Sequence, residues 1–191
     1  LHDSETDAFR AQVSSLGAGT TLLVDTYDIR EAVALGVDIA GPELGAVRID
    51  SGDLGVLASE GRSQLVARGA TGTRIVVTSD LDEFAIAGLS STPVDGYGIG
   101  TSLVTGSGAP TAGFAYKLVA RTDEAGNWTD VAKRSPGKPS MGGRKHATRR
   151  LRDGMAVAEV IRTGAAVVAA DERPLQVPVM RGGSVVTVGD V

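Results

Sequence analysis

The chain of 191 residues is 42% hydrophobic, which is enough to bury a core and predicts one domain with a smaller appendage. Its formal net charge of -4 excludes a broadly basic, non-specific nucleic-acid binder, and the absence of cysteine excludes disulfides and thiolate metal sites. No apolar run approaches the roughly 20 residues that span a bilayer, and the chain does not open with a charged and then apolar leader. We therefore expect a cytoplasmic protein. Its expected partners are small molecules or proteins, with no nucleic acid and no membrane.

Short apolar runs alternate with amphipathic segments through the first hundred residues. They predict strands at 21–24, 45–49, 74–78 and 94–100, and helices at 3–16, 28–35, 54–68 and 81–89. Strands buried on both faces, alternating with helices, are typical of a parallel sheet covered by helices. The period is close to one unit of a (β/α)8 barrel of about 250 residues. We therefore predict an α/β fold in which residues 1–112 form about half of an irregular (β/α) barrel.

Polar residues follow each predicted strand at its carboxyl end. They are Asp25, Asp50, Asp80 and Gly100. Because parallel strands end at the same rim, where α/β proteins bind ligands, we expect these residues to lie together. For any single aspartate the alternative is a helix N-cap. We expect the remaining strands of the barrel to lie upstream of Leu1 or to come from another chain.

The second apolar run ends in a cluster of charged and hydrogen-bonding residues, which are Arg48, Asp50, Ser51, Gly52 and Asp53. Ser51 is predicted to be the N-cap of the next helix, with Asp53 against its positive end. Arg48 is suited to an anionic sugar phosphate, while a carboxylate can hydrogen-bond a neutral or cationic group beside it. The alternative is a capped helix with a surface ion pair.

The fourth run leads into a glycine-rich turn with two hydroxyl groups. Its residues Gly98, Gly100, Thr101 and Ser102 could cradle a phosphate with backbone N–H groups, although a purely structural turn is the alternative. The sequence has no P-loop and no serine-hydrolase motif at any position. His2 and His146 are too far apart in the chain to predict a metal site.

The pattern changes at Gly113. Residues 114–119 and 128–133 alternate around a turn-rich stretch and predict a β-hairpin, and residues 133–146 form a loop rich in Lys, Arg, Gly and Pro. Such a loop is often a solvated surface, but in an acidic protein it could close over a polyanion. We assign residues 113–150 to the hairpin and basic loop, and residues 151–191 to a small, mostly β portion with antiparallel strands.

Six stretches taken together closely resemble nicotinate phosphoribosyltransferase in order and spacing, from about residue 7 to residue 150. They are residues 23–28, 48–53, 79–82, 98–102, 116–119 and 133–135. The resemblance implies an enzyme of NAD salvage that transfers phosphoribosyl from phosphoribosyl pyrophosphate (PRPP) to nicotinate, giving nicotinate mononucleotide and pyrophosphate. It also implies coupling to ATP hydrolysis, a requirement for Mg2+, a flanking β domain built from both chain ends, and head-to-tail homodimers.

The resemblance also implies roles for individual residues. Asp25 and Asp50 are the expected catalytic residues, Asp25 near the ribose and pyrophosphate. The expected substrate-binding residues are Arg48, Ser51, Gly52, Asp53, Ser79, Asp80, Gly98, Gly100, Thr101 and Ser102, with the last glycine-rich group at the 5'-phosphate. Lys133 and Lys138 are expected to reach toward ATP or pyrophosphate. No metal ligands are assigned, and Mg2+ is expected to be held through PRPP.

Two departures from the family pattern bear on activity. Members that use ATP carry a phosphorylated histidine at a position just upstream of Leu1, and the surroundings of His2 do not match it. The family's amino-terminal pyridine-stacking aromatic residue is also absent. We therefore expect this chain alone to be inactive and to need the amino-terminal half of the same enzyme. The alternatives are a nicotinamide phosphoribosyltransferase, which the Arg-Ile-Asp-Ser-Gly-Asp stretch disfavours, and a non-catalytic phosphosugar-binding fragment.

Overall fold

The computed structural model describes residues 2–106, 112–135 and 139–186. The chain divides into two compact units. Unit 1 comprises Leu1–Lys117 and Lys133–Ser140, and unit 2 comprises Leu118–Ala132 and Met141–Val191.

Unit 1 alternates helices and strands. In chain order they are α1 (Glu5–Leu16), β1 (Thr21–Leu23), α2 (Ile29–Ala40), β2 (Ala46–Ile49), α3 (Leu54–Ala67), β3 (Arg74–Thr78), α4 (Glu83–Gly88), β4 (Gly96–Gly98) and α5 (Thr101–Thr105). The strands form a parallel sheet in the order β1-β2-β3-β4. The predicted α/β fold with a parallel sheet is confirmed. The short helix α5 was not predicted, because its five residues carry no helical period.

The sheet of unit 1 has one apolar face and one partly polar face. Successive side chains of a strand point to opposite faces, and one set is fully buried against the helices: Leu22, Val24, Val47, Ile49, Ile75 and Val77. Each such side chain contributes about 1.5–3 kcal/mol on burial. The other face carries Arg48, Thr78 and Gly98. The expectation that these strands are buried on both faces is met only in part: burial alternates along β3, whereas β2 buries Ala46 and Val47 on opposite faces and exposes Arg48.

Aspartates cap three helices of unit 1. The carboxylates of Asp28, Asp53 and Asp82 accept hydrogen bonds from backbone N–H groups at 2.9, 3.1 and 2.8 Å. Caps of this kind stabilise a helix by about 1 kcal/mol. The prediction that Ser51 caps α3 is wrong, since Asp53 takes that position and the Ser51 hydroxyl donates elsewhere.

Helix α2 extends five residues beyond its predicted end at Leu35. Gly36 continues the helix because it packs closely on the sheet, where an added Cβ would lie 3.1 Å from Leu22 Cδ1. The helix ends at Gly41, whose φ of 78° favours glycine.

Unit 2 is built from short antiparallel pairs. Its strands are β5 (Ala120–Thr122), β6 (Trp128–Asp130), β7 (Lys145–Arg152), β8 (Met155–Thr163), β9 (Glu172–Pro174), β10 (Met180–Arg181) and β11 (Ser184–Val185). They pair as β5-β6, β8-β7-β9 and β10-β11. The predicted hairpin exists, but its first arm is residues 120–122 rather than 114–119, because pairing begins beside the turn that Asp123 and Asn127 close. Strand β7 begins inside the predicted basic loop.

No helix in the described ranges combines the length and the apolar character needed to cross a membrane.

Candidate functional site at the carboxyl edge of the unit 1 sheet

Strand register places four residues in one row at the carboxyl edge of the sheet. Leu23 pairs with Arg48, Arg48 pairs with Val76, and Thr78 pairs with Gly98. Asp25 and Asp50 follow the last residues of β1 and β2 at this edge, and the hydrogen bond from Thr78 places Asp50 beside the Thr78–Gly98 pair. The four residues predicted to lie together, Asp25, Asp50, Asp80 and Gly100, all follow strands of the sheet at this edge.

Arg48, Thr78 and Asp50 form a hydrogen-bonded cluster in this row. Arg48 Nε donates to Thr78 Oγ1 at 3.1 Å, and Thr78 Oγ1 donates to Asp50 Oδ1 at 2.5 Å. Arg48 Nη2 lies 3.7 Å from the same carboxylate oxygen. The Arg48 side chain is 45% exposed and that of Asp50 is 26% exposed. The guanidinium therefore keeps donors available for an incoming anion, in the geometry that suits a phosphate.

Sequence reasoning missed Thr78. The available signal was its place as the last residue of the third apolar run, one residue before Ser79, on the face that carries Arg48. A threonine at that point also suits a strand through its β-branched side chain, so its hydroxyl did not stand out.

Asp25 is fully buried at the end of β1. Its Oδ2 accepts a hydrogen bond from the Ser51 hydroxyl, and its backbone oxygen accepts one from the Ser135 hydroxyl. Its Oδ1 is buried and has no hydrogen-bond partner in the described part of the chain. Because burying such a carboxylate oxygen without a partner is costly, it indicates a position where a hydrogen-bond donor or a cation belongs.

The segment from Lys133 to Ser140 joins this edge within unit 1. The Arg134 backbone N–H donates to Thr26 O at 3.2 Å. Lys133 and Ser140 close the base of the segment, with Lys133 N–H on Ser140 Oγ at 2.8 Å and Ser140 N–H on Lys133 O at 2.9 Å. The start of the basic loop thus lies beside the buried Asp25. Lys138, the second lysine predicted to act there, lies outside the described residues.

Comparison with known proteins was made by family models and by individual sequences. No protein-family model matches the chain. A nicotinate phosphoribosyltransferase of Mycobacterium tuberculosis is 55% identical over 183 residues, which are 94% of this chain and 40% of that protein. The resemblance to the nicotinate phosphoribosyltransferases is confirmed. The match is to their carboxyl-terminal part, and the chain spans about 40% of the length of the first curated relatives it matches.

More distant nicotinate phosphoribosyltransferases show the same likeness. That of Bacillus subtilis is 38% identical over 138 residues, covering 66% of this chain and 28% of that protein. A crystal structure of the nicotinate phosphoribosyltransferase from Porphyromonas gingivalis matches 74% of this chain and 44% of that one, with a TM-score of 0.55 at 18% identity. At that identity the structural match supports the α/β fold alone.

The other residues predicted from the nicotinate phosphoribosyltransferase pattern lie around the same edge. Ser51 is buried on Asp25, and Asp53 is occupied as the cap of α3. Gly52 has a φ of 87°, which glycine adopts readily. Ser79 has a φ of 155°, which residues other than glycine rarely adopt. Asp80 is exposed just beyond β3. Their contacts with substrate stay predictions.

The glycine-rich turn of the nicotinate phosphoribosyltransferase pattern follows β4. An added Cβ at Gly98 would lie 2.4 Å from Thr78 Cγ2, whereas one at Gly100 would meet nothing within 4 Å. Gly100 and Thr101 are exposed and Ser102 is half-buried. Gly98 is therefore required by its neighbour in the sheet, and the residues after it are open to solvent.

The amino edge of the same sheet has the opposite character. The Asp95 carboxylate accepts hydrogen bonds from Arg62 at 2.6 Å and from the Ile75 backbone at 2.7 Å. A second Arg62 nitrogen donates to Thr73 O at 2.8 Å. These charges neutralise each other. The exposed Arg48 cluster therefore makes the carboxyl edge the candidate functional site.

Proposed function

We propose that the chain is the part of a nicotinate phosphoribosyltransferase that carries the Arg48–Thr78–Asp50 cluster. The intact protein then transfers phosphoribosyl from PRPP to nicotinate and couples the reaction to ATP hydrolysis. The observation that carries the proposal is that cluster at the carboxyl edge of a parallel sheet, in a chain 55% identical to a relative of that name. Parallel α/β folds bind their ligands at this edge.

In the proposed reaction, the bond between the ribose C1' and pyrophosphate breaks, and the pyridine nitrogen of nicotinate forms a bond to C1'. Positive charge develops on the sugar as pyrophosphate leaves with the electron pair. The Asp50 carboxylate, held by Thr78, offsets that charge and hydrogen-bonds the ribosyl or pyridine group beside it. Arg48 binds an anionic oxygen with its free guanidinium donors.

Asp25 is proposed to act on this reaction from a buried position beside the site. Its side chain is buried, so its charge is screened little by solvent. Its unpartnered Oδ1 is the atom that a donor or cation completes when substrates are bound.

The 5'-phosphate is proposed to lie on the exposed turn formed by Gly100, Thr101 and Ser102, next to Gly98. Lys133 and Lys138 are proposed to reach the pyrophosphate or ATP. The attachment of Arg134 to Thr26 supports this, because it anchors the start of the basic loop at the edge where the leaving group lies.

The residues present fit a Mg2+ ion that is held mainly by substrate. In the described parts of the chain, no three His, Cys, Asp or Glu side chains come together to hold a metal. Mg2+ is commonly bound by one or two carboxylates together with substrate phosphates, and Asp25 and Asp50 offer that number after the ends of neighbouring strands. When bound with PRPP, the ion neutralises charge on the departing pyrophosphate.

The proposed architecture is half of an irregular barrel, which the amino-terminal part of the enzyme completes. The partly polar face of the sheet supports this, since in a barrel that face would line the interior. Homodimers that complete each site, and a location in the cytoplasm, belong to the same proposal.

The test is an assay of the intact protein that contains this chain, as its source organism makes it. With nicotinate, PRPP, ATP and Mg2+, we expect nicotinate mononucleotide and pyrophosphate, and little product when nicotinamide replaces nicotinate. Turnover of nicotinamide in preference to nicotinate would overturn the assignment of the base. PRPP binding with no turnover of either base would favour a phosphosugar-binding module.

A further inference from the structure

Thr78 uses both branches of its side chain at the candidate site. Its hydroxyl accepts from Arg48 Nε at 3.1 Å and donates to Asp50 Oδ1 at 2.5 Å. Its methyl group, Cγ2, lies on Gly98, where an added Cβ would come within 2.4 Å. One side chain on β3 therefore contacts functional candidates on both neighbouring strands, β2 and β4.

We propose that Thr78 is the positioning residue of this site: its hydroxyl keeps Arg48 and Asp50 apart and oriented, and its methyl group explains the glycine at position 98. The inference rests on the proposed function for its catalytic consequence, although its structural part does not depend on that function.

The hydroxyl holds an arrangement that the two charged groups would not keep unaided. Arg48 and Asp50 approach no closer than 3.7 Å, and the shorter path between them runs through Thr78 Oγ1. A guanidinium and a carboxylate left to themselves form a direct, bidentate pair. Such a pair would occupy the Arg48 donors that an anionic substrate group needs. The hydroxyl prevents this by occupying Arg48 Nε and one lone pair of Asp50.

The backbone does not explain the glycine at position 98. Its φ lies outside the left-handed region, so other residues could adopt its conformation. The obstacle is the Thr78 methyl group at 2.4 Å, with Thr78 Cβ at 3.4 Å. Any side chain at position 98 would displace Thr78 and, through its hydroxyl, the Arg48–Asp50 geometry.

The first experiment separates the hydroxyl from the methyl group in the intact protein. Thr78→Val removes the hydroxyl and keeps the shape, and Thr78→Ser keeps the hydroxyl. We expect Thr78→Val to lower kcat/KM for PRPP about 30-fold, because hydrogen bonds to two charged groups are lost, and Thr78→Ser to stay within about threefold of wild type. Equal loss in both variants, or no loss in Thr78→Val, would overturn the positioning role.

The matched control is Thr73→Val, the same substitution at the residue just before β3. The Thr73 side chain is buried, and its hydroxyl has no hydrogen-bond partner in the described residues. We expect wild-type kcat/KM and an unchanged or higher melting temperature, because an unsatisfied buried hydroxyl is replaced by a methyl group. A loss of turnover in this control equal to that of Thr78→Val would show a general effect of the substitution and overturn the assignment to Thr78.

The second experiment tests the Thr78–Gly98 contact by suppression. We expect Gly98→Ala to lower both kcat/KM and the melting temperature, and the double variant Gly98→Ala/Thr78→Ser to recover both, because serine lacks the obstructing methyl group. A double variant no better than Gly98→Ala would overturn the contact.

The melting temperatures need no turnover assay. If the wild-type protein shows no turnover but the double variant recovers the melting temperature, the proposed function is overturned and the Thr78–Gly98 contact stands. If the wild-type protein turns over normally but the double variant does not recover the melting temperature, the contact is overturned and the proposed function stands.

Discussion

Each unit of the molecule contains a cluster of one threonine, one carboxylate and arginine, and the two clusters differ in how far the carboxylate is exposed to solvent. In unit 2, Glu172 accepts from Thr148 at 2.7 Å, from Arg150 at 3.0 Å, and from Arg162 at 2.7 and 2.9 Å. Its side chain is fully shielded from solvent. In unit 1, Asp50 accepts from Thr78, and its ion pair with Arg48 is long and half-exposed.

The difference shows how the same chemistry serves two purposes. The Glu172 cluster ties β9 to β7 and to β8, and each carboxylate oxygen is already occupied. Hydrogen bonds from Arg162 are the main cause that lowers the pKa of Glu172 far below its ordinary value, with Thr148 next, while burial opposes the shift. Within the described residues, the Arg48 guanidinium is about half exposed at the sheet edge and donates from Nε to Thr78. A saturated cluster stabilises structure, and an open one is available to a ligand.

The largest expected effect concerns the exposed Arg48–Asp50 cluster of unit 1. In the intact protein, Asp50→Asn should lower turnover by about 100-fold or more, because the amide accepts from Thr78 but carries no charge to offset the developing cation. The melting temperature should change little. Steady-state kinetics and thermal melting measure the two effects.

The control for Asp50→Asn is Asp38→Asn. Asp38 forms an exposed ion pair with Arg68 at 3.1 Å, so its loss should change neither turnover nor melting appreciably. Parallel losses of turnover and stability in Asp50→Asn would mean that Asp50 serves the structure, and the contrast with Glu172 would disappear.

The next largest effect concerns the buried Glu172 cluster of unit 2. Glu172→Gln should lower the melting temperature by several degrees at pH 7, because Arg150 and Arg162 lose their charged partner. Turnover of the folded protein should remain at the wild-type value. Glu159→Gln is the control, since its pair with Arg149 is largely exposed. A Glu172→Gln protein with wild-type stability would show that saturation does not imply a structural role.

The pH dependence of Glu172 has a definite sign. Its pKa is lowered in the folded state from an ordinary value of 4.5, so its contribution to stability is complete above that pH. As the pH falls below 4.5, the unfolded chain binds a proton that the folded carboxylate does not, and stability is lost. Melting curves between pH 7 and pH 3 should therefore fall less steeply for Glu172→Gln than for wild type, and identical slopes would contradict the assignment.

The smallest expected effect concerns a carboxylate with the opposite shift. Partial burial, followed by repulsion from Glu31 and Asp28, raises the pKa of Glu5 above its ordinary value of 4.5. Glu5 thus favours the folded state below pH 4.5, and this contribution is lost as the pH rises through its folded pKa. Glu5→Gln should raise stability at pH 7 by less than about 1 kcal/mol, with the gain vanishing near pH 4. Glu43→Gln, at an exposed loop position, should change stability at neither pH.

Much of unit 1 could be predicted from periodicity. The strand runs ending at Leu23, Ile49 and Thr78 are short and bounded by polar residues, so their order and parallel pairing followed from the alternation with helices. The errors came where local pattern and tertiary contact compete. Ser51 has the composition of a cap, yet its hydroxyl is drawn to the buried Asp25, and Asp53 caps α3 instead.

Unit 2 was harder to predict for a related reason. Its strands are short, and β8 has mostly exposed residues, so hydrophobic alternation carries little signal. The side chains that connect its sheet, Glu172 and Arg162, lie ten residues apart in sequence and were not recognised as partners.

The sequence by itself predicted that Asp25, Asp50, Asp80 and Gly100 belong to one edge, because parallel strands separated by helices end on the same side of their sheet. It also determined the resemblance to nicotinate phosphoribosyltransferase, which depends on the order of motifs. Only the tertiary structure decided that Thr78 lies between Arg48 and Asp50 and opposite Gly98. Contacts of about 3 Å depend on strand register and on side-chain rotamers, and the local pattern of residues specifies neither.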